Sequence, residues 1–216
     1  MEPERLYKYL PSQYSENVVE KGEILFRNLT YFRQYECEQR GDSLEAIHRD
    51  NPDNDVELFQ PSTGAYSKGN FSFLNSTDSD LIYVFCLSMS HKSDLYEEFN
   101  SDTCIEITDP EDLLKRIRIK VKRLISAHNK SLIHKPVYCY AANKPAEFNV
   151  KDPFELPFAK GDAFNNQDEY RLVFGTRKAF KLTQRIVINS RFNFREYAMS
   201  GAPKEKIITI GNISDI

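Results

Sequence analysis

The hydrophobic pattern has one dominant feature, the run Leu81-Ile82-Tyr83-Val84-Phe85-Cys86-Leu87, which turns polar at Ser88 and Ser90. A continuous apolar stretch rich in β-branched and aromatic residues predicts a central strand covered on both faces. Shorter runs predict strands at residues 6–10 (ended by Pro11), 23–27, 103–107, 136–141, 169–174, 185–189 and 207–210. Helical signals are fewer. Residues 15–21 form a short helix stopped by Gly22, and residues 94–99 a second one. Asp109-Pro110-Glu111-Asp112 starts a third: an Asp cap, Pro in the first turn, and acids at the positive end of the helix dipole. Its apolar face, Leu113, Leu114, Ile117, Val121, Leu124 and Ile125, carries it to about Ser126. Residues 29–45 read as a loop with a helical turn. Residues 50–80, rich in Asn, Asp, Ser and Gly, read as a long loop excursion or mobile lid. Strands and helices mix without β-α-β alternation, so the expected class is α+β.

Composition bounds the problem. The chain has 216 residues, 40% of them hydrophobic, with no long Gly/Ser or Pro-rich linker. One domain spanning residues 1–216 is expected, with enough apolar material for a core. No run approaches the roughly 18 apolar residues of a membrane span. The acidic start Met1-Glu2-Pro3-Glu4-Arg5 lacks the apolar stretch of a secretory signal, so a cytoplasmic location is expected. Cys37, Cys86, Cys104 and Cys139 show no C-x-x-C spacing, and the last three fall in apolar runs where a thiol acts as a small core side chain. Neither a metal site nor a disulfide scaffold is expected. Phosphate-loop, dinucleotide-fingerprint, zincin and nucleophile-elbow motifs are absent.

Charge is unevenly distributed. Residues 1–108 hold 9 Lys/Arg against 20 Asp/Glu, whereas residues 109–216 hold 20 against 12. The densest basic stretch, 115–123, contains Arg116, Lys120 and Arg123. A second group, Arg171, Arg177, Lys178, Lys181, Arg185, Arg191 and Arg195, is interleaved with Phe174, Phe180, Phe192 and Phe194. Cations that neutralise phosphate, set among rings that stack bases, suit single-stranded nucleic acid, RNA especially. The plainer reading is a solvated basic face beside core phenylalanines.

The richest chemical cluster is Phe164-Asn165-Asn166-Gln167-Asp168-Glu169-Tyr170-Arg171. Alternation at the start of a strand would put Gln167 and Glu169 on one face. An amide that holds a nucleophile, beside a carboxylate that stabilises an oxocarbenium-like centre, is the electrostatic help that glycosyl transfer needs. Solvated polarity at a hairpin end is the alternative. Ser88 and Ser90 alternate onto one face of the central strand's end. Lys8 interrupts the apolar strand Leu6-Tyr7-Lys8-Tyr9-Leu10, as an edge gatekeeper or an anion ligand. Arg27, Arg33 and Arg40 lie amid Tyr31, Phe32 and Tyr35, a composition suited to a dinucleotide. His128 and His134 read as solvated, and His91 follows the central strand.

In order along the chain, these pieces resemble the ADP-ribosyltransferase superfamily: a polar first-strand position, a short helix and Gly, a Ser-containing strand, then a late [QE]-x-E. More narrowly, the chain resembles a group of bacterial and phage-encoded proteins. The shared elements are Tyr7-Lys8-Tyr9, Cys86-Leu87-Ser88, Phe158-Ala159-Lys160, Gln167-Asp168-Glu169-Tyr170-Arg171, and the stretch from Tyr31-Phe32-Arg33 to Glu45. The resemblance implies a split β-sheet fold with a few peripheral helices. It implies NAD as substrate, Glu169 as the catalytic glutamate, and Gln167 setting the acceptor. Lys8 or Tyr9, Arg27, Tyr31, Arg33, Ser88 and Ser90 would line the NAD site. The first-strand position holds Lys where the superfamily has His or Arg. The implied activity is mono-ADP-ribosyl transfer of toxin or phage-defence type, onto RNA or protein, with an antitoxin or chaperone as partner. Two other classes compete: a non-catalytic nucleic-acid-binding module and a protein-interaction component.

Overall fold

The computed structural model describes residues 3–34, 43–124, 131–141 and 143–216. Tyr35, Cys37, Arg40 and His128 lie outside them. The first half runs β1 (Leu6–Leu10), α1 (Ser15–Val19), β2 (Glu23–Asn28), α2 (Leu29–Gln34), β3 (Ile47–Asp50), β4 (Val56–Gln60), β5 (Ala65–Gly69), β6 (Phe71–Ser76), β7 (Ile82–Ser88), α3 (Asp94–Glu98) and β8 (Thr103–Ile107). The second half runs α4 (Pro110–Arg123), β9 (Ile133–Pro136), β10 (Tyr138–Tyr140), β11 (Ala159–Gly161), β12 (Glu169–Gly175), β13 (Thr183–Ile188), α5 (Phe194–Ala198) and β14 (Glu205–Thr209). The fold is α+β, with mostly antiparallel pairing.

The apolar run around Val84 forms β7, the hub of a seven-stranded sheet. One edge of β7 pairs with β12 along its whole length, from Glu169↔Ser88 to Gly175↔Ile82. The opposite edge is shared. β1 meets it at Tyr7↔Ser88 and β2 at Arg27↔Val84. β1 continues outward to β8, and β2 to β14, so the sheet forks along that edge. β12 also pairs with β9.

Strand alternation sorts the two faces. Phe85, Leu87, Tyr170, Leu172 and Phe174 pack against Leu113, Ile117 and Val121 of α4. Val84, Ile82 and Val173 pack on the other side against Leu29, Ala46 and Phe158. The Asp109 carboxylate caps α4 by accepting from Asp112 N at 3.0 Å. The helix stops at Arg123, with Leu124 already extended, short of the expected end. Gly22 follows α1 with φ +63°, and a side chain there would collide with the Gly211 carbonyl.

Residues 50–80 are not the expected loop. They form an exposed hairpin, β4–β5, followed by β6, the middle strand of a three-stranded sheet ordered β13-β6-β3. Phe71 and Leu74 supply its apolar contacts. Its polar residues are buried with partners: Ser72 bonds Asn51 and Asn189, and Asn75 accepts from Gln184. Phe192, Phe194 and Tyr197 pack beneath this sheet against Leu74 and Val187.

Candidate active site

Gln167 and Glu169 do converge, by a route other than strand alternation. Gln167 ends a 3-10 turn, Asp168 adopts the left-handed conformation (φ 46°), and β12 begins only at Glu169. Both side chains meet the ammonium of Lys160 on β11, which donates to Gln167 Oε1 at 2.8 Å and to Glu169 Oε2 at 3.1 Å. Gln167 Nε2 in turn donates to Glu98 Oε1 of α3 at 2.7 Å, so the amide is oriented from both ends.

Arg171, two residues along β12, points to the same face. Its Nε donates to Glu169 Oε1 at 2.7 Å, and Nη2 to Glu169 Oε2 at 3.3 Å. Nη1 and Nη2 grip the Glu45 carboxylate at 2.7 Å each, and Nη1 also reaches Pro157 O at 2.7 Å. Five bonds use the five N–H donors of the guanidinium. Arg171 is only 1% exposed and Glu45 is fully buried. Two cations and two carboxylates therefore form a neutral buried cluster, which is how charge survives in a low-dielectric interior.

The electrostatics follow from this pairing. Burial by itself would push the Glu169 carboxyl up, but the charges of Arg171 and Lys160 and the hydrogen bond from Arg171 outweigh it and hold Glu169 well below the usual carboxylate range. Burial opposes the charge on Lys160, yet Glu169 and Glu45 raise its pKa above the ordinary lysine value. Beside them, burial pushes the Cys86 thiol up, so it stays protonated.

Three adjacent strands place Tyr7, Ser88 and Glu169 side by side on this face, at the β1 arm of the fork. The Ser88 hydroxyl lies 2.9 Å from Gln167 O and 3.0 Å from Ser90 O, tying the end of β7 to the turn before β12. The Tyr7 ring stacks on His91, with centroids 5.4 Å apart and planes 23° apart. Tyr9 meets Tyr96 edge-on, and its hydroxyl accepts from Lys92 N at 2.8 Å. An aromatic cluster thus borders the β1 end of the Tyr7–Ser88–Glu169 row.

Other expected residues fall elsewhere. Lys8 projects to the opposite face, where Nζ donates to Cys86 O at 2.8 Å and sits over the Phe85 ring, as alternation from Tyr7 requires. Arg27 lies on the same face as Glu169 but on the β2 arm, bonded to Glu205 and stacked on Tyr31 at 4.1 Å. Arg33 is buried and donates to Glu45 O at 2.8 Å. Ser90 Oγ is buried and, among the described residues, has no hydrogen-bond partner. His134 is half-buried and engaged: it bonds Tyr170 Oη at 2.8 Å and Arg118 at 3.1 Å.

The residues expected to bind nucleic acid are not brought to one face. Arg171 is consumed by Glu45 and Glu169, leaving no cation for a phosphate. Phe174 is fully buried; Phe180, half-buried, packs on Phe154, and Phe192 and Phe194, also half-buried, pack on each other against the core, so these rings are engaged by other side chains. Arg116 of α4 is paired with Asp112 of the same helix and with Asp215, which follows β14. Lys120 and Arg123 also belong to α4, which covers the sheet face opposite Glu169. Arg177 and Lys178 are exposed beyond the far end of β12, roughly 20 Å along the strand from Glu169.

Glu45 and Lys160 are also cluster members; both fall in stretches that carry the resemblance, which gives neither a role. Lys160, in the apolar run Leu156-Pro157-Phe158-Ala159, carries the only local hint, a cation where burial is expected. Among the described residues no group of three His, Cys, Asp or Glu is placed to hold a metal, and no helix is long and apolar enough to cross a membrane. Comparison with family models, with curated proteins and with solved structures gives no match.

Proposed function

We propose that the protein is a mono-ADP-ribosyltransferase that cleaves NAD and passes ADP-ribose to a nucleophile, with the forked sheet corresponding to the split sheet of that superfamily. The observation that carries this reading is the row Tyr7, Ser88, Glu169 on adjacent strands at the fork. In it an ionised carboxylate lies two strands from the stacked Tyr7–His91 pair, on the same face. Glycosidic cleavage of NAD develops positive charge on the ribose as a planar ring leaves. Glu169, held ionised by its cations, would stabilise that charge, and the aromatic surface suits the departing ring. Gln167, fixed between Lys160 and Glu98, would orient the incoming group. RNA stays the first acceptor to try and protein the second, although the α4 cations lie across the sheet from Glu169.

A second reading has one observation in its favour: both Glu169 oxygens are engaged and its side chain is only 7% exposed. On that reading the cluster is a structural clamp. Incubating the protein with adenylate-labelled NAD plus RNA or lysate separates the two. The transferase reading expects label on a macromolecule, reduced about 100-fold or more in Glu169→Gln, as when a charge-stabilising group is lost. No nicotinamide release by folded wild-type protein would leave the clamp alone.

A further inference from the structure

The three-stranded sheet has two edges, and the chain treats them differently. On the β3 edge the Tyr140 hydroxyl accepts from Arg49 N at 3.3 Å and donates to Ile47 O at 3.2 Å, closing the backbone. β13 forms the other edge, and among the described residues no strand pairs with its outer side. Thr183 to Ile186 and Ile188 are exposed. Ile186 (56% exposed) and Ile188 (39%) stand opposite Phe73 and Phe71, so an apolar strip runs beside the open edge.

Charge along the segment that carries this edge has one sign, up to Glu196. Residues 176–195 contain Arg177, Lys178, Lys181, Arg185, Arg191 and Arg195, all exposed, and no Asp or Glu. Because the interleaved phenylalanines turn inward, the surface offers cations and β-branched side chains rather than stacking rings. Edge strands are commonly blunted by charge against unwanted pairing. Here the strip facing solvent next to the edge is isoleucine, and the cations flank it.

We propose that β13 is a docking site for an acidic, extended segment of another protein, added as a fourth strand. Its backbone would pair with the outward N–H and C=O groups of β13, about half of those in a six-residue strand, apart from Ile188 O, which accepts from Arg191 N and Phe192 N. Its alternate apolar side chains would lie against Ile186 and Ile188, and its carboxylates would meet Arg185 and the flanking cations. Docking requires nothing of the Glu169 cluster, so it holds whether or not NAD is turned over.

The test is fluorescence anisotropy with a labelled 12-residue peptide alternating Glu and Val, against the full chain. A Lys/Val peptide and a 12-nucleotide oligo(U) RNA serve as competitors. Saturable binding of the acidic peptide is expected, weakened at least tenfold in Arg185→Glu and in Ile186→Asp. Both positions are exposed, and unchanged circular dichroism confirms folding. Hydrogen exchange should slow at residues 183–188 on binding. No saturable binding, or protection confined to other strands, overturns the proposal. Preferential binding of oligo(U) reassigns the surface to nucleic acid. Self-association that Ile186→Asp abolishes in light scattering reassigns it to a second copy of the chain.

Discussion

Glu45 and His48 lie three residues apart, both almost wholly buried, and the protein handles them in opposite ways. Glu45 is charged and gripped by Arg171 from 126 residues away. Among the described residues neither ring nitrogen of His48, on β3, has a hydrogen-bond partner; the ring packs instead against Tyr140 at 4.9 Å and Phe148 at 5.6 Å between ring centroids. A carboxylate cannot enter the interior without a counter-charge, whereas a neutral imidazole can be carried there by ring packing, at the cost of two unmet polar atoms. The first site is therefore rigid and costly to edit. The second is tolerant, but only while the ring stays uncharged.

Removing the shared cation is the strongest way to break the first site. Arg171→Met strands Glu45 and halves the support of Glu169, and a loss of about 3–5 kcal/mol in urea unfolding is expected. Adding Glu45→Leu should restore roughly half of that, since the stranded charge goes and Lys160 still neutralises Glu169. A single-variant loss below about 1 kcal/mol would show that the cluster is solvated in solution.

The same contrast explains what could be read from the sequence. β7, β12 and α4 were legible because their signals are local: a continuous apolar run, a strand following a polar turn, and a capped helix with a 3.6-residue stripe. The pairing of Glu45 with Arg171 leaves no local trace, and Arg171 looked like one cation among several. β6 was missed because Ser72, Asn75 and Ser76 resemble loop residues. They are buried because partners arrive from elsewhere: Asn51 and Asn189 for Ser72, Gln184 for Asn75, and Thr183 O and Tyr197 Oη for Ser76. The convergence of Gln167 and Glu169 was anticipated, but it depends on the left-handed Asp168 and on Lys160.

The two sites should also separate along the pH axis. Burial lowers the His48 pKa, with Asp50 pulling weakly the other way, so the folded state resists protonation. Its contribution is present above the unfolded value near 6.5 and is lost as pH falls below it, at up to about 1.4 kcal/mol per pH unit. Glu169 is held low in the folded state. Its contribution stays intact through that window and declines only below about pH 4.3, where the unfolded carboxylate takes up protons. Urea midpoints between pH 7.5 and 5 should therefore fall in the wild type and stay flatter in His48→Phe. Equal slopes in the two proteins would remove His48 as the source.

The smallest effect is expected from His48→Phe at pH 7.5. A ring of similar size replaces one that makes no hydrogen bond among the described residues, against the same Tyr140 and Phe148 surfaces. No partner is orphaned by the change, and two buried polar atoms disappear. Volume-conserving core substitutions usually stay within about 1.5 kcal/mol, and here the removed polar atoms should pull the balance toward zero or slight stabilisation. Arg171→Met and His48→Phe, measured side by side at neutral pH, thus test a single rule: the cost of editing a buried polar group scales with the partners it leaves behind. A loss from His48→Phe approaching that of Arg171→Met would mean that the imidazole is hydrogen-bonded in solution, and the contrast between the two sites would fail.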